Sequence, residues 1–427
     1  IDQSPLSNDT MISTINRSLM PEGNISLELD MSIPIRNPEH KLKINGNMNF
    51  QNASIQSNEV DLELTGLSGD LIFTESSLTA NDLDAVYDNA TVTLDISGSK
   101  FNNTFPANIT LSGNADSVFI SKQLNKYLPN SSEGIKNITT NLSGYTNWDA
   151  SIIYSKDSDN KELQRQLIIK SNLIGLELNL PQPLTKKGYE STSLYFSKHL
   201  GSGNDNYITF NLGNIYTTFA YKYSPSRELQ NISISTNNRN TPSFNEAGIY
   251  ISGNYDSIDT KELLSLLTSK DINKDKKTSL PVNVDIKASK LLYLGQVFKD
   301  ISIKGKTDQN YDWDYVLDSK AIKGTLKVAK IKNEGTHVIA DLEHLLLTSN
   351  DSSNEYSIDP SQLPTLFANV KKFNYNSLDL GTLTLTALPS GSGLLIEEFT
   401  FRKPQLHIQA TGKWSKNRYT GSMSKFF

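Results

Sequence analysis

Cysteine is absent from this 427-residue chain. That absence excludes disulfides, thiolate nucleophiles, iron–sulfur clusters and cysteine-based zinc sites. Long apolar runs are missing as well: no stretch of ~18 or more apolar residues occurs, so no segment is predicted to cross a membrane as a helix. Lys and Arg number 41 against 46 Asp and Glu, which gives a formal net charge of −5. This acidic balance argues against general nucleic-acid binding, which needs a basic surface.

Apolar residues are sparse. The set A, V, I, L, M, F, W, Y and C makes up 37% of the chain, and exchanging Tyr for Gly in that set changes the total by about one percentage point. Ordinary globular domains contain ~45–50%. The composition therefore predicts a thin core, with much of the sheet surface left in water.

Residue patterns that carry catalysis or tight polar binding are missing from the sequence. The five histidines have no metal-ligand spacing, and neither G-x-S-x-G nor a phosphate-binding glycine loop occurs. The carboxylates are scattered, and nothing marks a pair for glycoside hydrolysis. We therefore predict no enzyme activity, no cofactor and no metal site.

Alternation with period two is what the chain does contain. Apolar residues occupy every second position from Ile25 to Ile35, with polar residues between most of them. Because successive side chains of a strand point to opposite faces, such a run predicts a strand with one apolar face. The pattern recurs along the chain, and clusters of Asn, Gly, Ser and Asp separate the runs. Many short strands with this spacing predict a mainly β protein.

Helical periodicity is rare. It predicts one helix over 117–128 and a second over 260–270, and a short turn is predicted near Pro360. Residues 281–328 and 364–410 share one order of strands and turns, which predicts an internal repeat. Helices this few are expected to brace a sheet rather than to form a second layer.

Several segments, in order along the chain, resemble the C-terminal half of the YhdP-type, AsmA-like proteins of Gram-negative bacteria. Residues 171–186, SNLIGLELNLPQPLTK, are similar to the family pattern S-x-L-x-G-hydrophobic-x-L-x-x-P-x-P-L-x-K. Residues 66–83, 249–259 and 410–414 resemble further family segments. The family often has a Trp a few residues after the segment that corresponds to 249–259, and here Leu263 and Leu264 stand nearby instead. The resemblance covers nearly the whole chain.

The resemblance implies an elongated, strongly curved antiparallel β-sheet of repeating strand units that forms a lengthwise hydrophobic groove, with a few short helices. Residues 1–427 would form one such fragment, with approximate sub-segments 1–115, 116–280 and 281–427. The resemblance further implies a periplasmic protein held in the inner membrane by an N-terminal helix that this chain lacks, and a contact with the outer membrane. Its implied function is to shield phospholipid acyl chains during transport between the two membranes.

Elementary energetics fits that implication. Two acyl chains carry roughly 30 methylenes, and at ~0.8 kcal/mol each their exposure to water costs about 20 kcal/mol or more. A curved sheet with one apolar face covers such chains along its length, while the headgroup stays in water. We predict that the following alternating residues line the groove, with ordinary core packing as the alternative for each: Ile25, Leu27, Leu29, Met31, Leu62, Leu64, Val92, Leu94, Leu176, Leu178, Ile301, Ile303, Leu383 and Leu385.

Two other classes of protein share these features. A non-enzymatic structural or adhesive extracellular β-protein would have the same Asn-, Ser- and Thr-rich strands, but it would have a closed, dry core. A carbohydrate-active β-protein would need clustered aromatic residues and a carboxylate pair in one cleft. The aromatic residues here are spread along the chain, which argues against the second of these.

Overall fold

The computed structural model describes most of the chain and is 81% strand, so the predicted mainly β fold is confirmed. The described residues are 20–33, 43–57, 62–99, 107–127, 138–156, 163–180, 184–200, 206–223, 227–236, 247–260, 280–293, 295–307, 312–331, 335–349, 360–391, 393–417 and 421–426.

Twenty-four strands are formed by the described residues. The first twelve are β1 (Met20–Ser32), β2 (Lys43–Ser57), β3 (Leu62–Thr74), β4 (Ser77–Tyr87), β5 (Ala90–Ser99), β6 (Ala107–Asp116), β7 (Leu142–Lys156), β8 (Leu163–Ser171), β9 (Leu176–Leu178), β10 (Leu194–Leu200), β11 (Asn206–Leu212) and β12 (Ile215–Tyr223). The others are β13 (Arg227–Thr236), β14 (Gly248–Asp259), β15 (Val282–Tyr293), β16 (Gln296–Thr307), β17 (Trp313–Asp318), β18 (Ile322–Ile331), β19 (Gly335–Leu347), β20 (Thr365–Tyr375), β21 (Leu378–Ser390), β22 (Gly393–Lys403), β23 (Leu406–Asn417) and β24 (Gly421–Phe426).

These strands form one large, curved, open sheet of 23 strands, in which each strand pairs with the next along the chain. The short strand β9 is the exception: it pairs back onto the start of β7, and β8 pairs directly with β10. Most neighbours are antiparallel, as predicted. The parallel pairs among the described strands are β13–β14, β14–β15 and β19–β20.

The predicted internal repeat has a topological counterpart. Strands β15–β19 and β20–β24 each form an antiparallel series of five, and each series joins the preceding strand by a parallel pairing. Ala288 and Leu291 on β15 occupy the places that Val370 and Phe373 occupy on β20. Each unit therefore repeats the same strand order and, on its first strand, the same two buried positions.

The helix predicted over 117–128 is present as α1 (Ser117–Tyr127). Asp116 caps it, because the amide of Phe119 donates to Asp116 Oδ1 at 2.7 Å. The turn predicted near Pro360 is a 3-10 helix, Pro360–Gln362. The helix predicted over 260–270 lies outside the described residues, apart from Thr260.

Many strands bend at a point where the spacing of their core-facing residues changes from two to three. Phe50 is followed by Ala53, Ala80 by Leu83 and Val370 by Phe373, with two polar residues between each pair. At these points two residues of one strand lie opposite one residue of its neighbour, which defines a β-bulge. A bulge bends its strand, so a row of bulges creases the sheet along its length.

The bulges of the first strands keep their extra amides hydrogen-bonded. Asp82 has a φ of 52°, and its amide donates to Asp95 Oδ1 at 2.9 Å across the bulge. Asn52 has a φ of 56°, and its amide donates to Ser68 Oγ at 3.4 Å. A polar side chain on the opposite strand thus replaces the ladder hydrogen bond that the extra residue forfeits.

Creased strands enclose the hydrophobic core. The largest cluster joins β2 to β6 around Leu64, Leu67, Leu83 and Leu94, each no more than 1% exposed. Smaller clusters lie in β14–β16 around Ile301 and in β19–β22 around Val370. The core therefore sits where the sheet bends over its own apolar side.

Candidate functional site: an apolar face that crosses the sheet

One face of the sheet is apolar from strand to strand, because the register places apolar residues directly opposite one another. A single row crosses nineteen successive strands, from β4 to β23 without β9, and only a Thr and a Gly interrupt its apolar residues. Its members, each paired with the next, are Leu83, Leu94, Leu111, Ala150, Ile169, Phe196, Phe210, Thr217, Ile234, Ile251, Val284, Gly305, Tyr315, Leu326, Ala340, Ala368, Leu385, Phe399 and Ala410. We refer to this side of the sheet as the apolar face.

Burial of the apolar face differs along the chain. In the closed section, β2–β6, most of its side chains are almost fully buried, and those near the strand ends, such as Ile44, Leu62 and Ile109, are half-buried against them. In the open section, β7, β8 and β10–β13, the larger described apolar side chains on the face are only half-buried, and Phe210 is 36% exposed. The open section therefore presents apolar surface that no other described part of the chain covers completely.

Most of the residues predicted to line a groove lie on this face. Ile25, Leu27, Leu29 and Met31 are 36%, 53%, 38% and 44% exposed on β1, opposite Phe50, Met48, Gly46 and Ile44 of β2. Leu64, Val92, Leu94, Ile301 and Leu383 are buried, and Leu62, Ile303 and Leu385 are half-buried and packed against those clusters.

Two predicted lining residues are placed elsewhere. Leu176 and Leu178 belong to β9, which pairs with Gly144 and Leu142 at the start of β7 and lies outside the ladder that carries the apolar face. Their alternation is real, but it belongs to a short connecting strand between β8 and β10. The segment with the most specific resemblance is therefore a local structure at one margin of the sheet.

A buried lysine holds this connecting segment together. Lys186 is only 5% exposed, and its Nζ donates to the carbonyl oxygens of Leu176 at 2.7 Å and Lys187 at 2.9 Å. Burial lowers the pKa of the Lys186 ammonium, and the nearby carboxylates of Glu190 and Glu177 oppose that effect. The buried Lys186 ammonium therefore holds the segment together through hydrogen bonds to two backbone carbonyls.

Helix α1 packs at the junction of the closed and open sections. The ring of Phe119 stacks on Trp148 with centroids 6.1 Å apart, and Tyr87 meets both rings edge-on. Tyr87 Oη donates to Gln123 Oε1 at 3.1 Å, and Gln123 Nε2 donates to Asp88 Oδ2 at 2.6 Å. The helix therefore covers the edge of the core with an aromatic cluster and ties itself to the β4–β5 turn.

The opposite face is polar along much of the sheet, but at β13 its side chains are shielded from water. Asn231, Ser233 and Ser235 are buried there, while Ile232 and Ile234 on the apolar face are half-buried. Asn231 Oδ1 accepts a hydrogen bond from the amide of Gly248 at 2.9 Å. This part of the sheet is covered on its polar side.

The residues that best define the open section were not among the predicted lining residues. They include Phe196, Phe210 and Phe219, on neighbouring strands of the apolar face. Their strands do alternate, so period two could have found them. The runs are only seven to nine residues long, and tyrosines on the opposite face weaken the contrast.

Within the described ranges, His, Asp and Glu side chains form no group of three or more that could hold a metal ion. None of the described helices has the length and apolar content needed to cross a membrane.

In the described residues, a long open sheet with one largely apolar face defines an elongated β-sheet protein. A family model described as YhdP protein matches residues 1–426, so the chain belongs to the YhdP family. No curated protein and no solved structure matches the chain significantly.

Proposed function

We propose that this protein carries phospholipid between the inner and outer membranes, with the acyl chains against the apolar face and the headgroup in water. It would act from the periplasm, anchored in the inner membrane in its full-length form, and by binding rather than by catalysis. The observation that carries this proposal is the register-matched apolar row, which crosses nineteen strands and is only half-buried in the open section.

Carrying acyl chains along the sheet requires an apolar face that continues from strand to strand. Exposing two acyl chains to water costs about 20 kcal/mol or more, so a carrier must cover the chains at every position along their path. Neighbouring strands lie ~4.8 Å apart. Apolar residues on adjacent strands of the row therefore give a methylene chain nearly continuous apolar contact, which only Thr217 and Gly305 interrupt. Family membership supports the same function.

Ile169 and Ile168 offer a matched test of this proposal. Both are half-buried on β8, but Ile169 lies on the apolar face between Ala150 and Phe196, whereas Ile168 lies on the opposite face between Ser151 and Ser197. The variants Ile169→Asp and Ile168→Asp are incubated with phospholipid vesicles and re-isolated. Bound lipid is then counted by native mass spectrometry and by extraction.

We expect Ile169→Asp to lose bound phospholipid and Ile168→Asp to retain it, with both variants folded by circular dichroism. Equal retention in both variants would contradict binding on the apolar face. A lipid-free wild-type chain would instead favour a structural or adhesive β-protein.

A further inference from the structure

The face opposite the apolar face carries a neutral polar patch on β10–β13. One row of this patch consists of short hydroxyl side chains, each paired with the next across the strands: Ser197, Thr209, Thr218 and Ser233. We refer to it as the hydroxyl row. At ~4.8 Å per strand, the row is about 14 Å long. Among the described side chains of this face on β10–β13, none belongs to Lys, Arg, Asp or Glu.

Tyrosines flank the hydroxyl row on both sides. Tyr195 on β10 and Tyr216 on β12 each stand two residues before a member of the row, and both lie on the same side of it. Tyr207 on β11 also stands two residues before a member, but it lies on the other side, because β11 runs antiparallel to β10 and β12. Tyr250 on β14 pairs with Ser233 and ends the row. Strand pairing thus gathers tyrosines that are spread along the sequence.

The difference in side-chain length shapes this patch. Serine and threonine are shorter than tyrosine, so the hydroxyl row forms the floor of a shallow furrow whose walls are aromatic. Ser197 and Ser233 are each 6% exposed, whereas the flanking tyrosines are half-buried, as a floor between taller walls requires. Because tyrosine combines an apolar ring with a polar hydroxyl, the furrow offers both apolar surface and hydrogen-bonding groups.

Asn211 supplies an unused acceptor beside the floor of the furrow. It pairs with Tyr195 on β10 and with Tyr216 on β12, in the row that flanks the hydroxyl row. Its Oδ1 is buried and accepts no hydrogen bond within the described part of the chain. An unpaired buried acceptor destabilises a fold, and a ligand that donates to it removes that cost. Rotamer changes are common at binding surfaces, so a shift of either neighbouring tyrosine brings this oxygen within reach of a ligand.

We propose that this furrow binds a neutral glycan chain. The C–H faces of sugar rings pack on aromatic rings, and sugar hydroxyls exchange hydrogen bonds with side-chain hydroxyls and carboxamides. A furrow that crosses four strands suits several consecutive sugars of an extended chain better than a single sugar. The uncharged side chains favour a neutral glycan over an ionic one. The inference goes beyond lipid carriage, because the furrow lies on the opposite face of the sheet.

The test combines uncharged oligosaccharides with matched tyrosine variants. Chitohexaose and maltohexaose are each titrated into the whole chain, and isothermal titration calorimetry measures the affinity. Tyr195→Ala and Tyr207→Ala each remove part of one wall of the furrow. The control is Tyr189→Ala, because Tyr189 is 84% exposed and lies in the connection before β10, outside the furrow.

We expect the wild type to bind at least one of the two oligosaccharides, and each furrow variant to bind it about tenfold more weakly, because a stacking surface is lost. The control should bind as the wild type does. Asn211→Leu should also lose about tenfold in affinity, while its midpoint of thermal unfolding stays the same or rises, because the variant removes an unpaired buried acceptor. A folding defect would lower that midpoint, so this variant separates binding from folding.

Three other outcomes overturn the assignment. A wild-type chain that binds neither oligosaccharide would refute glycan binding. Equal affinities of Tyr195→Ala and Tyr189→Ala would show that the glycan binds outside the furrow. Loss of phosphatidylglycerol uptake from vesicles in Tyr195→Ala, with oligosaccharide binding unchanged, would assign the furrow to lipid instead.

Discussion

The closed section and the open section are built from the same alternation of apolar and polar residues, yet one is packed and the other is half-exposed. Their difference lies in the bulges. Strands β2, β3 and β4 each carry extra residues opposite their neighbours, whereas the ladder from β6 to β12 runs without a register shift until Ala220. Bulged strands bend and bring the apolar face onto itself, and regular strands leave it open.

Truncating a leucine in each section would give the largest difference between them. Leu94→Ala on β5 removes a side chain that is 1% exposed, so we expect a loss of ~2–5 kcal/mol in local stability. Leu167→Ala on β8 removes a half-buried side chain and should cost about half as much. Hydrogen exchange of peptides from β5 and β8 measures both. Equal losses would mean that the open section is as tightly packed as the closed one.

Removing the acceptor at a bulge should weaken the closed section. Asp95→Ala leaves the Asp82 amide without its partner and should cost about 1–2 kcal/mol, seen as faster exchange across β4 and β5. Asp95→Asn keeps a carbonyl acceptor and should recover much of that loss. Asp84→Ala, at an exposed position of β4, is the control. If Asp95→Ala behaved like the control, the bulge would not depend on this hydrogen bond.

The cap of α1 tests the junction between the sections. Asp116→Ala removes the acceptor of the Phe119 amide and should destabilise α1 by about 1 kcal/mol. The stacking of Phe119 on Trp148 should loosen with it, which near-ultraviolet circular dichroism reports. Asp116→Ser should restore both signals, because serine is also a good cap. An unchanged Trp148 signal in Asp116→Ala would show that packing alone holds the helix.

Lys186 should give the smallest effect, a pH dependence confined to the connecting segment between β8 and β10. Its pKa is lowered by burial, so between that lowered value and ~10.4 the unfolded state binds more protons than the folded state. The free energy of unfolding of the wild type should therefore rise with pH in this window, relative to Lys186→Met. Exchange rates of residues 171–190 measured across the alkaline range test this. Parallel pH profiles would contradict it.

Much of the fold could be predicted because period two is a strong signal. Alternation around Val92, Leu94 and Ile96 predicted a strand with one apolar face, and these residues are buried together. Turn clusters separated the strands, and α1 was predicted from its periodicity and its end before Pro129. The repeat was predicted from strand order alone.

Bulges and side connections could not be predicted in the same way. A spacing of three, as from Ala80 to Leu83, interrupts alternation, and on sequence alone it resembles the end of a strand. Leu176 and Leu178 alternate as a sheet strand would, but Lys186 folds them into a connection, because its Nζ donates to the Leu176 carbonyl and its backbone exchanges hydrogen bonds with that of Leu178. Pairing between strands determines where these segments lie, and the sequence of one strand does not show which strand it pairs with.

Parallel pairings at β14–β15 and β19–β20 connect each five-strand unit to the strand before it, so the length of the sheet depends on the number of units. Each five-strand unit contacts only its neighbours and carries its own crease, so duplicating one unit would extend the sheet by about 24 Å at ~4.8 Å per strand. Gene duplication of such units would therefore adjust the length of the sheet to the distance that the protein has to span.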